Sequence, residues 1–435
     1  MKYSQFNSIV RTNGNQALYN SFTEKVVLLE NDLAEILRAA VTEGIDELEN
    51  VHPDLYHYLI AEEFILDTQV DEIEKVKKIR EAVDYNASSY LLTINPTMNC
   101  NFKCWYCYET HIKSSKLTRT VLESTKLFIT KKIQDEEIKH FNLAFFGGEP
   151  LLYFQQVVEP LIDHAVEECR KYNKVFSTSF TTNGFLINDS FINYFVDKNL
   201  MPNLQITFDG YRENHDKVRF VSEKRGSYFD IVENIKKLLK HRHFHVRARV
   251  NYTDENIHDC SKIADDFQEI IDENRSSQFL FDFHRVWQNG KLDDTDLIVN
   301  ENVEKIRAKG FKVSTNLPDN LANSCYADKL NSSVINYNGD IFKCTARDFE
   351  NKNREGYLTQ EGEIVWENDS QNKRMFSKFK NKPCLSCRIM PLCNGGCSQQ
   401  AIEHVDVDYC IYSGVESEKD KVVIKKIEEF LYAEA

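Results

Sequence analysis

The sequence predicts an α/β protein built around a partial (β/α)6 barrel, and three observations lead to this fold class. From Ser89 onward, short β-prone runs alternate with amphipathic helical stretches, as in repeated βα units around a parallel sheet. Six such runs can be counted, which is too few for a closed eight-unit barrel. Beyond about Leu317 this periodicity fades, and cysteine, asparagine and glycine dominate. We therefore expect a barrel domain at residues 89–316 and a different kind of domain at 317–435.

The elements of the barrel follow from hydrophobic periodicity. Helical stretches at Leu151–Tyr172 and Tyr228–Lys240 lie between β-prone runs. The six predicted strands are Tyr90–Ile94, Phe141–Phe146, Val175–Thr181, Leu204–Phe208, His245–Asn251 and Phe279–Phe283.

Residues 1–88 predict a small αβ module that precedes the barrel. A β-prone stretch at Lys25–Glu30 is followed by a helix with apolar residues on one face, and a charged helical stretch at Asp71–Ala82 closes the module. The apolar face of the first helix consists of Leu33, Ile36, Leu37 and Ala40.

Composition limits the classes of function. The chain has 435 residues, 42% of them hydrophobic, and a formal net charge of −14, which disfavours a nucleic-acid partner. No apolar run is long enough to span a membrane, and the first residues do not resemble a secretion signal, so we expect a cytoplasmic protein without a membrane partner. In that reducing compartment clustered thiols bind metal more often than they form disulfides.

Ten of the twelve cysteines fall into two spaced groups, which predicts metal centres. Cys100, Cys104 and Cys107 form C-x3-C-x2-C on the loop after the first predicted strand, where barrel active sites are built. Three thiolates leave one iron of a four-iron cluster without a protein ligand, so chemistry can occur there. The second group suits iron–sulfur clusters or tetrahedral zinc. It comprises Cys325, Cys344, Cys384, Cys387, Cys393, Cys397 and Cys410.

The first cysteine group and four later motifs resemble the radical S-adenosylmethionine (radical SAM) superfamily. Tyr106 supplies the aromatic residue before the last cysteine, and GGEP (147–150), TTNG (181–184), TFDG (207–210) and RARVN (247–251) follow or lie on later predicted strands. The resemblance implies a TIM-like barrel in which Cys100, Cys104 and Cys107 are catalytic and hold a [4Fe–4S] cluster. S-adenosylmethionine would bind the open iron and yield a radical that abstracts hydrogen from substrate.

The same resemblance assigns cofactor contacts to individual residues. Tyr106 would shield the cofactor, and Gly147, Gly148, Glu149 and Pro150 would contact its methionyl amino group. Thr182, Asn183 and Asp209 would line its ribose and carboxylate, with Arg249 on the carboxylate and Asn251 on the ribose. From the residues alone, Asp209 and Gly184 could equally form turns, and Arg249 could be a solvated strand residue.

The spacing of the second cysteine group resembles the SPASM extension of radical SAM enzymes, which implies two auxiliary [4Fe–4S] clusters and three clusters in all. The outer one would take Cys384, Cys387, Cys393 and Cys410, and the inner one only Cys325, Cys344 and Cys397. The inner cluster's open iron could bind a substrate thiolate. Alternatively Cys169, Cys260, another residue or water closes it, although a lone cysteine is more often a small buried apolar residue.

Residues 1–88 resemble the winged-helix-like module that recognises the leader segment of a precursor peptide in many peptide maturases. Such modules bind by strand addition. A domain that merely caps the barrel is the alternative. A flavodoxin or ferredoxin is the generic electron donor for such an enzyme.

These observations together predict a radical SAM/SPASM maturase that oxidatively crosslinks a ribosomally made precursor peptide, joining cysteine sulfur to carbon in a thioether. A carbon–carbon or carbon–oxygen link is the near alternative. A sulfatase-type maturase, which makes formylglycine, commonly has aspartate directly after the cysteine that corresponds to Cys344, but Thr345 follows here. A non-enzymatic, zinc-stabilised peptide-binding protein is the hypothesis from another class.

Overall fold

The computed structural model describes residues 1–12, 14–273, 275–288, 295–315, 318, 320–404 and 407–434. The chain forms two compact units. The barrel unit comprises residues 87–316 and 331–370, and the terminal unit comprises 1–86, 317–330 and 371–435. Strands and helices are numbered below along the whole chain.

An eleven-stranded sheet organises the described part of the barrel unit, in the order β14-β13-β12-β9-β8-β7-β6-β15-β16-β17-β18. The pairs from β14 to β15 are parallel, and those from β15 to β18 are antiparallel. The parallel strands are β6 (Ser89–Ile94), β7 (His140–Phe145), β8 (Val175–Thr182), β9 (Asn203–Phe208), β12 (His245–Tyr252), β13 (Phe279–Arg285), β14 (Lys312–Ser314) and β15 (Ser332–Ile335). The antiparallel extension consists of β16 (Asp340–Phe342), β17 (Gly356–Leu358) and β18 (Ile364–Trp366), and a separate hairpin pairs β10 (Phe220–Ser222) with β11 (Arg225–Gly226).

All six predicted barrel strands are present, as β6, β7, β8, β9, β12 and β13, and they neighbour one another in chain order. The predicted fold class is thereby confirmed for the barrel. Strands β14 to β18 escaped the sequence analysis because each has only three or four residues, too few for a period to show.

The helices of the barrel unit follow its strands. One prediction was wrong in its start: the helix expected from Leu151 begins at Glu159, after 3-10 and π turns over 150–158, and Pro160 occupies its first turn, where a missing N–H costs little. The helices are α5 (Arg119–Gln134), α6 (Glu159–Lys171), α7 (Asp189–Asp197), α8 (Arg212–Val218), α9 (Tyr228–Leu239), α10 (Gln268–Asp272) and α11 (Thr295–Arg307).

The core of the barrel unit is one large apolar cluster between strands and helices. Phe145 and Phe180 stack at 5.1 Å between ring centroids, and Phe191 and Phe195 meet Phe180 edge-on. Interlocked aromatic pairs of this kind hold neighbouring strands in register.

The terminal unit contains a three-stranded antiparallel sheet in the order β2-β3-β4 and a two-stranded sheet of β1 with β5. Its strands are β1 (Lys2–Tyr3), β2 (Asn7–Thr12), β3 (Asn15–Asn20), β4 (Val26–Leu29) and β5 (Ile65–Leu66). Its helices are α1 (Asn31–Glu43), α2 (Glu47–Val51), α3 (Pro53–Ala61), α4 (Glu72–Asp84), α12 (Ser370–Met375), α13 (Lys382–Leu385), α14 (Met390–Cys393), α15 (Ser398–Glu403) and α16 (Glu416–Glu434).

The first and last parts of the chain share a core in the terminal unit. Val10 of β2 and Tyr19 of β3 belong to the same buried cluster as Ile389, Leu392 and Val423. This packing could not be predicted from the sequence, because the two segments lie more than 350 positions apart. The three predicted domains, 1–88, 89–316 and 317–435, are defined by function as well as by packing. This division of the chain therefore stays a prediction.

No helix among the described residues is both long and apolar enough to cross a membrane.

Candidate functional site

The first cysteine group lies on the loop that leaves the carboxyl end of β6, as predicted. The Phe102 backbone N–H donates to the Cys100 Sγ at 3.4 Å, and the Asn183 amide lies 3.9 Å from the same sulfur. Asn183 follows β8, so two strand ends converge on this thiol. N–H donors directed at sulfur are suited to a cluster thiolate.

Burial governs the acidity of these thiols. It raises the pKa of Cys100 to about 12 and that of Cys107 to about 11, and it also raises the pKa of Cys104. Such thiols do not ionise at neutral pH without nearby positive charge. Bound iron provides that charge and deprotonates a coordinating thiol. The donor set therefore fits an iron–sulfur cluster.

No group of three or more His, Cys, Asp or Glu side chains within the described ranges converges on a single-ion site. A four-iron cluster distributes its thiolates over different irons, so its ligands need not converge on one point.

The GGEP motif approaches the cysteine loop through its backbone. Gly147 and Gly148 have φ of +74° and +50°, and the Glu149 N–H donates to the Asn99 carbonyl at 2.8 Å. A Cβ on Gly148 would collide with that carbonyl oxygen and lie 2.8 Å from its carbon. Glycine is required here for both conformation and space.

Glu109 also joins these two loops. Its Oε2 accepts the Gly148 N–H at 3.1 Å, and burial raises its pKa to about 8. Glu109 was not among the predicted site residues, because a glutamate beside a cysteine motif carries no signal of burial.

Glu149 is fully buried and connects GGEP to the end of β8. Its carboxylate accepts the Thr182 hydroxyl at 2.8 Å, the Asn183 N–H at 2.8 Å and the Leu151 N–H at 2.9 Å. Burial raises the pKa of Glu149, and these three donors oppose the rise. The motifs predicted to line one cofactor are thus brought together at one strand edge.

Tyr106 is the centre of a second network at these strand ends. Its hydroxyl donates to Asp209 Oδ1 at 2.5 Å and accepts from Asn251 Nδ2 and Arg219 Nη2, each at 2.9 Å. Arg219 also forms an ion pair with Asp209, and Arg249 Nε donates to Asn251 Oδ1 at 3.0 Å. Arg219 was not among the predicted site residues, since one arginine in a charged stretch gives no sign that it is buried.

A loop that follows Cys344 is attached to the first cysteine loop within the barrel unit. The Tyr108 hydroxyl donates to the Thr345 carbonyl at 2.7 Å. Asp348 accepts the Thr110 N–H at 2.9 Å and its hydroxyl at 2.5 Å. Phe349 packs edge-on against Phe146, the residue before GGEP. These contacts attach the residues that follow Cys344 to the residues that follow Cys107.

The four cysteines predicted for the outer cluster all line one cavity in the terminal unit. The cavity is partly open to solvent, and its walls include Met390, Tyr409 and Tyr412. Burial raises the pKa of Cys384 to about 11 and that of Cys393 to about 12, and neighbouring thiols add to both shifts. The lining thiols are Cys384, Cys387, Cys393 and Cys410. Four soft ligands around one mainly apolar cavity fit a cluster with four protein ligands.

The cysteines predicted for the inner cluster are divided between the units. Cys344 belongs to the barrel unit, while Cys325 and Cys397 belong to the terminal unit. Their common ligation stays a prediction. Cys169 and Cys260, the alternative ligands, are 2% and 0% exposed within the apolar core of the barrel unit, which agrees with their interpretation as small apolar residues.

Comparison with known proteins places this site in a class. The model of the Radical SAM superfamily matches residues 94–267, which contain the cysteine loop, GGEP and strands β7 to β12. Residues 94–267 therefore contain a radical SAM domain, which confirms the predicted resemblance to the radical SAM superfamily. Its site is accordingly one for a [4Fe–4S] cluster and S-adenosylmethionine.

Particular relatives differ in how much of the chain they cover. A cysteine-type anaerobic sulfatase-maturating enzyme of Clostridium novyi (strain NT) is 27% identical over 71% of this chain and 88% of its own. The solved structure of anSMEcpe with AdoMet and the Cp18Cys peptide covers 78% of this chain and 98% of its own, at 20% identity and a TM-score of 0.58. Streptococcus suis SuiB bound to the precursor peptide SuiA covers 95% of this chain and 99% of its own, at 17% identity and a TM-score of 0.52. At these identities the two structures establish the fold alone.

Proposed function

We propose that this enzyme is a peptide maturase that oxidatively crosslinks a ribosomal precursor, joining a cysteine sulfur to a carbon. The choice of a crosslink over formylglycine formation rests on the residues in the loop after Cys344. Thr345 stands where a formylglycine-forming relative would have its aspartate, and the nearby Asp348 uses both oxygens on Thr110. Both oxygens of Asp348 therefore already accept hydrogen bonds within the protein.

Residues of the chain would perform separate parts of this reaction. Cys100, Cys104 and Cys107 would hold the [4Fe–4S] cluster, which with bound S-adenosylmethionine supplies a hydrogen-abstracting radical. The GGEP backbone and Glu149 would orient the cofactor's amino group. Arg249 is suited to its carboxylate, because burial lowers the pKa of this guanidinium and an anion would offset the lost hydration.

Cysteines of the second group would bind two further [4Fe–4S] clusters, which brings the total to three. The shared cavity supports an outer cluster on Cys384, Cys387, Cys393 and Cys410. The inner cluster would use Cys344 with Cys325 and Cys397. Its fourth position would bind the thiolate of a substrate cysteine.

The terminal unit would bind the leader segment of the precursor peptide. Among the described residues β4 pairs with β3 alone, so its other edge offers backbone groups for strand addition. Leu28 of β4 is 53% exposed and could anchor an apolar leader side chain. SuiB, whose solved complex contains a precursor peptide, resembles this chain over nearly its whole length. Electrons would come from a flavodoxin or ferredoxin.

The test is the mass of a precursor peptide encoded beside this gene, after anaerobic co-expression with the enzyme. After reduction to exclude disulfides, a thioether appears as the loss of two hydrogens together with one cysteine that no longer alkylates. Cys104→Ala should abolish the change, and Cys169→Ala should retain it. Loss of two hydrogens with every cysteine still alkylated would replace the thioether with a carbon–carbon or carbon–oxygen link.

Formylglycine formation is the second candidate, favoured by the identity to the Clostridium novyi enzyme over 71% of the chain. It leaves a different mark on the same peptide. A converted cysteine loses its sulfur, and the new aldehyde reacts with hydrazines. That product would contradict the proposed crosslink.

A further inference from the structure

We propose that Asn95 and Glu109 bind the amino group of S-adenosylmethionine through two side-chain oxygens beside the GGEP loop. The inference rests on the cluster and cofactor of the first cysteine site, and it is independent of the type of crosslink. Neither residue was among the predicted site residues.

Two oxygen atoms next to the first cysteine loop are buried without a donor. Asn95 is 0% exposed, and within the described ranges its Oδ1 has no hydrogen-bond partner. Glu109 Oε1 is likewise buried without a partner there, although Oε2 of the same carboxyl accepts the Gly148 N–H at 3.1 Å. A buried acceptor without a donor destabilises a protein unless a ligand or a water molecule supplies one. Two such atoms at one site therefore indicate a ligand with N–H or O–H donors.

Both side chains contact the two glycines of GGEP. A Cβ on Gly147 would lie 2.9 Å from Asn95 Oδ1, and the next residue, Gly148, donates its N–H to Glu109. Glycine at position 147 lets the Asn95 amide approach the loop this closely, because a larger residue would collide with it. The two oxygens thus belong to side chains held at consecutive residues of the loop that is expected to face the cofactor's amino group.

Glu149, the carboxylate of the GGEP motif itself, is already occupied. Its Oε1 accepts from the Leu151 N–H and the Thr182 hydroxyl, and its Oε2 accepts from the Asn183 N–H. These bonds hold the loop in place. The oxygens that lack a donor beside this loop belong instead to Asn95 and Glu109.

The amino group of S-adenosylmethionine has the donors that these two oxygens lack. An amino group coordinated to iron keeps two N–H bonds, so each oxygen can accept one of them. Asn95 precedes Cys100 by five residues and Glu109 follows Cys107 by two, so the segment that carries the thiols also carries both acceptors. Such acceptors would replace the water that the amino group loses on binding.

The test measures binding of S-adenosylmethionine to the anaerobic, iron-loaded enzyme by calorimetric titration, without any peptide. Glu109→Gln keeps the size of the side chain and can still accept the Gly148 N–H, but an NH2 group replaces the free oxygen. We expect its affinity to fall about tenfold. Glu168→Gln is the matched control, because Glu168 of α6 is also buried with an oxygen that lacks a partner among the described residues, and it should bind like wild type.

The loss of affinity should be specific to the amino group. An analogue of S-adenosylmethionine with hydrogen in place of the amino group should bind equally to wild type and Glu109→Gln. Asn95→Ala removes the other oxygen and should show the same selectivity, which keeps the proposal testable if Glu109→Gln does not bind iron.

Equal affinity for S-adenosylmethionine in wild type and both variants would overturn the inference. Equal losses for S-adenosylmethionine and the analogue would also overturn it, since the variants would then damage the site as a whole. Failure of the proposed crosslinking is recorded separately, by the unmodified mass of the precursor peptide. Amino-specific loss of affinity combined with an unmodified peptide would uphold the two acceptors and reject the crosslink.

Discussion

The two cysteine sites differ in what holds them in place. The loop of Cys100, Cys104 and Cys107 is attached to parallel strands whose aromatic core is buried. The Asn183 amide donates to Cys100, and Glu109 accepts a hydrogen bond from the Gly148 N–H of the neighbouring loop. The cavity of Cys384, Cys387, Cys393 and Cys410 is formed by two four-residue helices and turns. We therefore expect the first site to be formed by the fold itself and the second site to depend on what it binds.

Removal of iron should produce the largest difference between the two cysteine sites. Helices of four residues are unstable by themselves, so residues 384–404 and 407–412 should lose protection from hydrogen exchange when a chelator removes iron from the anaerobic protein. Strands β6 to β9 should keep their protection. Mass spectrometry of the exchanged peptides measures both, and equal loss in the two regions would contradict a preformed barrel site.

A substitution in the barrel core should affect the region of the first cysteine site rather than that of the second. Phe180→Ala removes a ring that is 2% exposed and stacked on Phe145, so the free energy of unfolding should fall by about 3–5 kcal/mol. Phe229→Ala, at a ring that is 57% exposed, is the control and should cost less than about 1 kcal/mol. Denaturant unfolding of the iron-free protein measures this difference. Similar values for the two variants would mean that the barrel core is not the source of stability.

Gly148→Ala should damage the first site more than the fold. The new Cβ would collide with the Asn99 carbonyl and require a left-handed alanine, which we expect to cost about 1–3 kcal/mol and to weaken S-adenosylmethionine binding. Gly310→Ala is the matched control: its φ is also positive, but the nearest atom would lie at 3.4 Å. Calorimetric titration with S-adenosylmethionine compares the two, and equal affinities would contradict a close GGEP backbone approach.

Tyr108→Phe should change stability least. Loss of one hydrogen bond to a backbone carbonyl costs about 0.5–1.5 kcal/mol, while the ring contact with Trp287 remains. Thermal unfolding of the holoenzyme checks this. A larger loss of stability would mean that Tyr108 stabilises the fold by more than this one hydrogen bond.

The sequence predicted the parts of the molecule that have a period or a motif. Six strands and the cysteine loop follow from alternation and spacing, and the placement of Thr182, Asn183 and Asp209 at strand ends follows from the parallel sheet. Arg219 and Glu109 could not be predicted, because burial of a charged side chain depends on partners far along the chain. The shared core of Tyr19 and Leu392 is likewise a long-range contact without any local pattern.

The most direct test of the central claim follows hydrogen from peptide to cofactor. A precursor peptide deuterated at carbon is incubated anaerobically with the enzyme, S-adenosylmethionine and reductant, and the 5′-deoxyadenosine formed is analysed by mass spectrometry. We predict that it carries one deuterium for each crosslink made. Unlabelled 5′-deoxyadenosine beside an unmodified peptide would contradict a radical enzyme that acts on peptide carbon.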